Sequence, residues 1–142
     1  MNRNEMLQFM NANPVCCLAT VENGQPRVRG MLMYRADEQG ILFHTASFKD
    51  LYRQVQENPL VEVCFISPDG SVQVRVSGRI EIVDDMDLKK EIVQARDFLK
   101  PMVYPDGFDK LKVLRVRDCM ATLWTYDLNF TPKEFVRLTD EA

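Results

Sequence analysis

Apolar and polar residues alternate along this chain with two different periods, and each change of period marks an element. The cleanest pattern runs from Ser71 to Val83. There Val72, Val74, Val76, Gly78, Ile80 and Ile82 alternate with Gln73, Arg75, Ser77, Arg79 and Glu81. A period of two predicts a long strand with one buried and one polar face. Gly78 in its middle predicts a bulge, or a bend at a barrel corner. Val15 to Val21 is almost wholly apolar, which predicts a strand buried on both faces or set in a barrel wall. The turn Glu22-Asn23-Gly24-Gln25 follows, since Asn-Gly supplies the positive φ angles of a hairpin. Pro26 to Tyr34 is the return strand, with Arg27 and Arg29 on one face and Val28 on the other. After a turn at Ala36 to Gly40, Ile41 to Thr45 is a third strand. Such short connections predict an antiparallel meander of these three. Leu60 to Ile66 is a fourth strand, closed by the turn Ser67-Pro68-Asp69-Gly70. Leu111 to Arg117 and Cys119 to Tyr126 read as two more, and Glu134 to Leu138 as a last short one.

The helical period appears three times. Asn4 to Asn11 carries Met6, Leu7 and Met10 and stops at Asn13-Pro14. Phe48, Leu51, Tyr52 and Val55 follow an i, i+3, i+4, i+7 spacing. Ser47 is the expected N-cap of that helix, paired with Asp50 in a capping-box-like arrangement, and Asn58-Pro59 ends it. Asp84 to Lys100 predicts a third helix, with Leu88, Ile92, Ala95 and Leu99 on one face and the Asp84 and Asp85 carboxylates at its start. No repeat, linker or low-complexity stretch divides the chain. The expectation is one domain over residues 1–142 of the mainly β class, with six or seven antiparallel strands and two or three inserted helices. A long bent strand among meandering neighbours points to a small closed or partly open barrel with helices at its ends.

Composition narrows the function classes. A chain of 142 residues can bury a core without disulfides. A net charge of −3 argues against a general nucleic-acid binder. No apolar run approaches the ~20 residues that span a bilayer, so no membrane role is expected. The polar start, Met1 to Glu5, lacks the apolar core of a signal peptide, so the expected location is the cytoplasm. Cys16, Cys17, Cys64 and Cys119 form no C-x-x-C pair and only one histidine is present. Buried free thiols are expected, with no metal site.

The chemistry gathers at the end of the third strand. His44, Thr45, Ser47 and Lys49 lie where a strand feeds a helix N-terminus, and free N–H groups with the helix dipole favour an anion there. If the second and third strands pair as a hairpin, Arg29 falls beside Thr45 or Ala46. Guanidinium groups bind phosphate bidentately, and hydroxyls with helix N–H groups complete a cradle. A phosphate-sized anion site is therefore expected from Arg27, Arg29, Thr45, Ser47 and Lys49. His44, alone at a strand end, reads as a structural or cofactor-lining residue, and no catalytic residue is assigned.

A resemblance adds to this. Leu18-Ala19-Thr20-Val21, Gly24-Gln25-Pro26-Arg27-Val28-Arg29, Leu42-Phe43-His44-Thr45, Lys49, Asn58-Pro59-Leu60-Val61-Glu62-Val63 and Val76-Ser77-Gly78 occur in this order. Their order and spacing resemble the pyridoxamine 5′-phosphate oxidase-like flavoproteins from Asn4 to about Leu138. The resemblance implies the FMN-binding split β-barrel fold and a homodimer with FMN at its interface. It implies that Arg27 and Lys49, with Ser47 or Thr45, hold the FMN phosphate. Val28, Arg29 and the backbone of Phe43 and His44 would line the ribityl chain and isoalloxazine, and Trp124 of the other subunit would cover part of the ring system. The implied activity is an oxidoreductase passing electrons or hydride between a nicotinamide donor and a small acceptor. The alternative is a flavin- or haem-binding sensor or storage protein without turnover. Some relatives use the deazaflavin F420, but the phosphate cluster favours FMN. Two departures stand out. Gly30 replaces the proline that many relatives carry after Arg-Val-Arg. The family's pyridoxamine phosphate oxidases carry an Arg-rich substrate motif ending in proline, whereas Thr131 to Leu138 offers Arg137 alone. True pyridoxamine phosphate oxidase activity is therefore not expected.

Overall fold

The computed structural model describes residues 1–141. Helix α1 (Arg3–Ala12) starts at Asn2, whose side chain accepts from the Glu5 N–H while the Glu5 carboxylate accepts from the Asn2 N–H. This reciprocal pair satisfies two free donors of the first turn. The helix buries Met6, Leu7 and Met10. Asn11 then exchanges two hydrogen bonds with the Ala36 backbone, at 2.8 and 3.0 Å. The strands are β1 (Val15–Glu22), β2 (Gln25–Leu32), β3 (Arg35–Asp37), β4 (Gly40–Ala46), β5 (Leu60–Ile66), β6 (Val72–Val83), β7 (Leu111–Thr125) and β8 (Val136–Arg137). Helix α2 (Asp50–Glu57) follows β4. Helix α3 (Met86–Ala95), a 3₁₀ turn at Asp97–Leu99 and α4 (Lys100–Val103) lie between β6 and β7.

All eight strands form one antiparallel sheet in the order β2-β1-β5-β6-β7-β4-β3, with β8 added to β7. The two ends of this order, β2 and β3, are joined by only Met33 and Tyr34. A two-residue link cannot cross a flat sheet of this width, so the sheet curls until its ends meet. Met33 N–H donates to Pro14 O and Tyr34 N–H to Leu42 O across the join. The result is a barrel closed at one end and split between β2 and β4 at the other. Leu18, Phe43, Val63, Phe65, Val74, Val76, Leu114 and Ala121 fill its interior. A second cluster on the outside of β4 and β7 holds α3 and α4 through Leu88, Ile92, Val93, Leu99 and Val103. Among the described residues, no helix is long and apolar enough to cross a membrane.

Several expectations need correction. The second and third predicted strands do not pair: among the described residues β2 pairs with β1 alone, and β4 pairs with β7 and β3. The three-residue β3 between them, read as part of a turn, takes up the edge of β4, so the meander breaks after its first hairpin. The strand count among the described residues is eight against the six or seven expected, with β3 additional. The two late strands are one, β7, running through Asp118 at φ 54. Between Ser77 and Arg79 the register steps from Met120 to Arg117, so the bulge foreseen at Gly78 has its extra residue on the facing strand. The third predicted helix stops at Ala95, where the Arg96 guanidinium donates to Leu32 O at 3.0 Å and Met33 O at 2.7 Å. Finally, α2 is capped by Lys49 with no side-chain hydrogen bond, and the Ser47–Asp50 box does not form.

Candidate functional site

A cleft of about 880 Å³ occupies the split between β2 and β4. Arg27, Val28, Arg29, Gly30, Met31 and Leu32 form one wall, and His44, Thr45 and Ala46 the other. Lys49, Asp50, Leu51 and Gln54 of the α2 region close one end; Phe98, Leu99 and Met102 close the other. The volume lies within the range of roughly 300–1,000 Å³ common to cofactor sites.

The α2 end is cationic. Arg29 lies opposite Leu18 in the β1–β2 register. Its guanidinium donates to Leu18 O at 3.3 Å, to Thr20 Oγ1 at 2.8 Å and to Gln54 Oε1. Thr20 donates to the same Gln54 oxygen at 2.6 Å. These acceptors hold the arginine in place but carry no charge. Burial lowers the Arg29 pKa, with Asp50 and Glu22 pulling the other way. Arg27 is looser, half exposed, and meets the Glu22 carboxylate at 3.4 Å. Glu22 also takes Arg53, whose hydrogen bond holds the Glu22 carboxyl below its usual range. Among the described residues, Lys49 makes no ion pair and its side chain does not cap α2. A cation beside the positive end of a helix is unfavourable by itself, so the arrangement suits an incoming anion.

The far end is largely apolar, with Phe98, Leu99 and Met102 in its lining. His44 Nε2 lies 2.7 Å from Arg96 Nη1. An arginine only donates, so Nε2 accepts and the ring proton sits on Nδ1. Burial, followed by the Arg96 charge, pushes the His44 pKa down to about 4. Phe98 approaches the imidazole with ring centroids 6.0 Å apart.

The residues singled out in the sequence fall into two groups. Arg27, Val28, Arg29, His44, Thr45 and Lys49 all line the cleft. Phe43 is fully buried in the barrel and is not part of the cleft's lining. Ser47 is exposed beyond the lining, its N–H spent on Lys110 O at 2.8 Å. Trp124 lies elsewhere, in a hollow of about 660 Å³ with Arg75, Leu128, Asn129 and Lys133, its indole donating to Asn129 Oδ1 at 2.9 Å. Arg29 approaches Thr20 and Gln54 rather than depending on a β2–β4 hairpin. Sequence reading missed Gln54, Arg96, Phe98 and Met102. Gln54 sits one position before Val55 on the apolar helix face, and that placement of an amide was the available signal. Nothing local marked Arg96.

A sequence model described as pyridoxamine 5′-phosphate oxidase matches residues 3–117. The pyridoxine/pyridoxamine 5′-phosphate oxidase of Pseudomonas putida (strain GB-1) is 40% identical over 67 residues, 46% of this chain and 31% of that protein. This chain thus spans about a third of the length of the curated relatives it matches. A NimC/NimA family protein from Clostridium acetobutylicum superposes with a TM-score of 0.77 at 24% identity, covering 94% of this chain and 91% of that one. A pyridoxamine 5′-phosphate oxidase-related, FMN-binding protein from Nostoc punctiforme gives 0.65 at 18% identity, covering 94% and 87%. Such identities establish the fold, an FMN-binding split barrel. The match across residues 3–117 establishes more, that the chain belongs to the pyridoxamine 5′-phosphate oxidase family.

Proposed function

We propose that the cleft binds FMN and that the protein is an FMN-dependent oxidoreductase. One observation carries this: Arg27, Arg29 and Lys49 all line a cofactor-sized cleft, and Arg29 and Lys49 make no ion pair among the described residues. Family membership supplies the identity of the anion. Arg27 and Lys49, with the Thr45 hydroxyl and the first N–H groups of α2, would hold the phosphate. Ser47 would join them from the rim. Val28 and Arg29 on one wall, and the backbone of Phe43 and His44 on the other, would line the remainder. Thr20 and Gln54 orient Arg29 before any ligand arrives. Bound there, the flavin supplies hydride or one-electron chemistry, and the protein supplies position and electrostatics. His44 is kept neutral, so it offers a hydrogen-bonding ring and not a proton donor near neutral pH.

A homodimer fits the distribution of exposed apolar surface. Val28 is 70% exposed at the cleft edge, while Tyr126, Phe130 and Phe135 stand out near Trp124. Trp124 is outside its own cleft, so any contact with the cofactor would come from a second copy. Pyridoxamine phosphate is not the favoured substrate: Arg137 is tied to Thr139 O at 2.9 Å and Asp118 at 3.6 Å, and does not line the cleft.

The visible spectrum of the purified protein, with FMN added if it is colourless, tests the reading. Flavin bands and an FMN-dependent rise in melting temperature are expected. The double variant Arg27→Ala, Lys49→Ala should lose FMN affinity by at least tenfold while staying folded. Unchanged affinity would place the phosphate elsewhere. A Soret band in place of flavin bands would transfer the site to haem.

A further inference from the structure

Arg96 stands behind the cleft wall and is held by uncharged groups. Its Nη1 donates to Leu32 O at 3.0 Å and to His44 Nε2 at 2.7 Å, and its Nη2 donates to Met33 O at 2.7 Å. The Tyr34 ring faces the guanidinium, with Cζ 5.2 Å from the ring centroid. Two of the three acceptors are backbone carbonyls where β2 runs into β3, so the place of Arg96 is set independently of His44. Among the described residues no carboxylate pairs with Arg96, and an arginine stays charged. Its charge therefore bears on the imidazole. His44 lines the cleft, and Arg96 does not. With Nε2 accepting, the ring proton is on Nδ1, and no group of the chain accepts from Nδ1 among the described residues. A hydrogen bond received from a cation polarises the ring and strengthens the donor on its other nitrogen. The carboxylates of the lining, Glu22 and Asp50, lie toward α2, while Phe98, Leu99 and Met102 beyond His44 carry no charge.

We infer that Arg96 is a positioning residue: it fixes His44 as a neutral Nδ1–H donor for the isoalloxazine of FMN, favouring the reduced, anionic form. Two electrons and one proton added to the oxidised ring system leave one negative charge on it. A preorganised donor stabilises that charge more than it stabilises the neutral oxidised ring. Tighter binding of the reduced form raises the reduction potential by linkage. His44 keeps its proton throughout, because a second proton on Nε2 would displace Arg96. The inference rests on the flavin reading for its ligand, but the Arg96–His44 pair stands without it.

His44 is the single histidine of the chain, so ring ¹⁵N labelling gives one pair of ring signals. The NMR samples carry a phosphine reductant, because Cys17 is exposed and Cys64 half-buried where buried thiols were expected. Near neutral pH the flavin-free protein should show a protonated Nδ1 and a bare Nε2. Arg96→Met keeps an apolar stem and removes the donor. Its ring proton should move to Nε2, and the titration midpoint should rise from about 4 toward 6.5. Added FMN should shift the Nδ1 signal of the wild type. In the FMN-loaded protein, His44→Phe removes the donor and leaves Arg96 bound to Leu32 and Met33, so it serves even if Arg96→Met does not fold. The ratio of reduced to oxidised FMN affinity should fall at least tenfold, read in a redox titration as a potential more negative by about 30 mV for two electrons. A wild-type proton on Nε2 would overturn the pairing. FMN that binds without moving the Nδ1 signal, or an unchanged potential in His44→Phe, would overturn the donor role and leave the flavin reading standing. A protein that takes up no FMN would overturn both.

Discussion

His44 shows how a single residue can be read correctly in kind while its partner stays hidden. Its position at a strand end was enough to suggest a lining residue. Arg96, 52 positions away, sets which ring nitrogen carries the proton, and burial first, then the Arg96 charge, keeps the ring neutral. Contacts of that separation leave no local pattern in a sequence. The structure makes a pH dependence follow. The folded-state pKa of about 4 lies below the ordinary value of 6.5. The unfolded chain therefore takes up a proton first as the pH falls. The stabilisation is complete above about 6.5 and is lost progressively toward 4. His44→Gln keeps an acceptor for Arg96 and removes the titration. Chemical denaturation of both proteins from pH 7.5 down to 4 should show the wild type losing more stability than the variant over that window. Parallel curves would rule out His44 as the titrating group.

Elements were legible where pattern and packing agree. Ser71 to Val83 alternates without interruption, and β6 buries Val74, Val76 and Ile80 as the period demands. Elements were misread where a distant contact overrides the pattern. The apolar face Leu88, Ile92, Ala95, Leu99 continues past Ala95, yet Arg96 is drawn to the Leu32 and Met33 carbonyls and the helix ends. The sequence reads as two strands, Leu111 to Arg117 and Cys119 to Tyr126, divided at Asp118, but Asp118 adopts positive φ and the ladder passes through it as a bulge. That bulge is fitted to Gly78, where an added Cβ would meet Val116 Cγ1 at 2.4 Å and Arg117 O at 2.6 Å. Gly78→Ala should therefore cost about 1–3 kcal/mol, as overpacking does, measurable as a lower denaturation midpoint; a midpoint within error of wild type would mean that β7 shifts freely. The capping box at Ser47 was misread for a different reason. The chain places Lys49 at the N-cap, a residue with no acceptor to offer. Lys49→Ser supplies the missing acceptor and should stabilise the flavin-free protein by about 0.5–1 kcal/mol. The same change removes an unpaired cation and should weaken FMN binding. Melting curves without ligand and an FMN titration measure the two effects, and a variant that loses stability would show that Lys49 supports the fold instead.

At the scale of the whole molecule, the cleft is one-sided. The walls of β2 and β4 and the ends at α2 and Phe98 enclose it, but Val28 faces outward at its edge. The most exposed aromatic in the chain's late segment, Phe130, is 94% exposed and lies close in sequence to Trp124 and Phe135. Apolar side chains exposed together in one patch are unfavourable in water and mark interaction surfaces in general. If it packs over the cleft of a second copy, dimerisation and flavin binding are linked, and each strengthens the other. The double variant Phe130→Ser, Phe135→Ser should then sediment as a monomer at concentrations where the wild type is a dimer. Its FMN affinity should fall at least tenfold, although neither residue lies in its own chain's cleft. Raising the variant's concentration should recover part of that affinity, because mass action restores the dimer. The decisive comparison is wild-type FMN affinity against protein concentration. A wild type that sediments as a monomer and still binds FMN with undiminished affinity would break the linkage. The split of the barrel would then be a complete cofactor site within one chain.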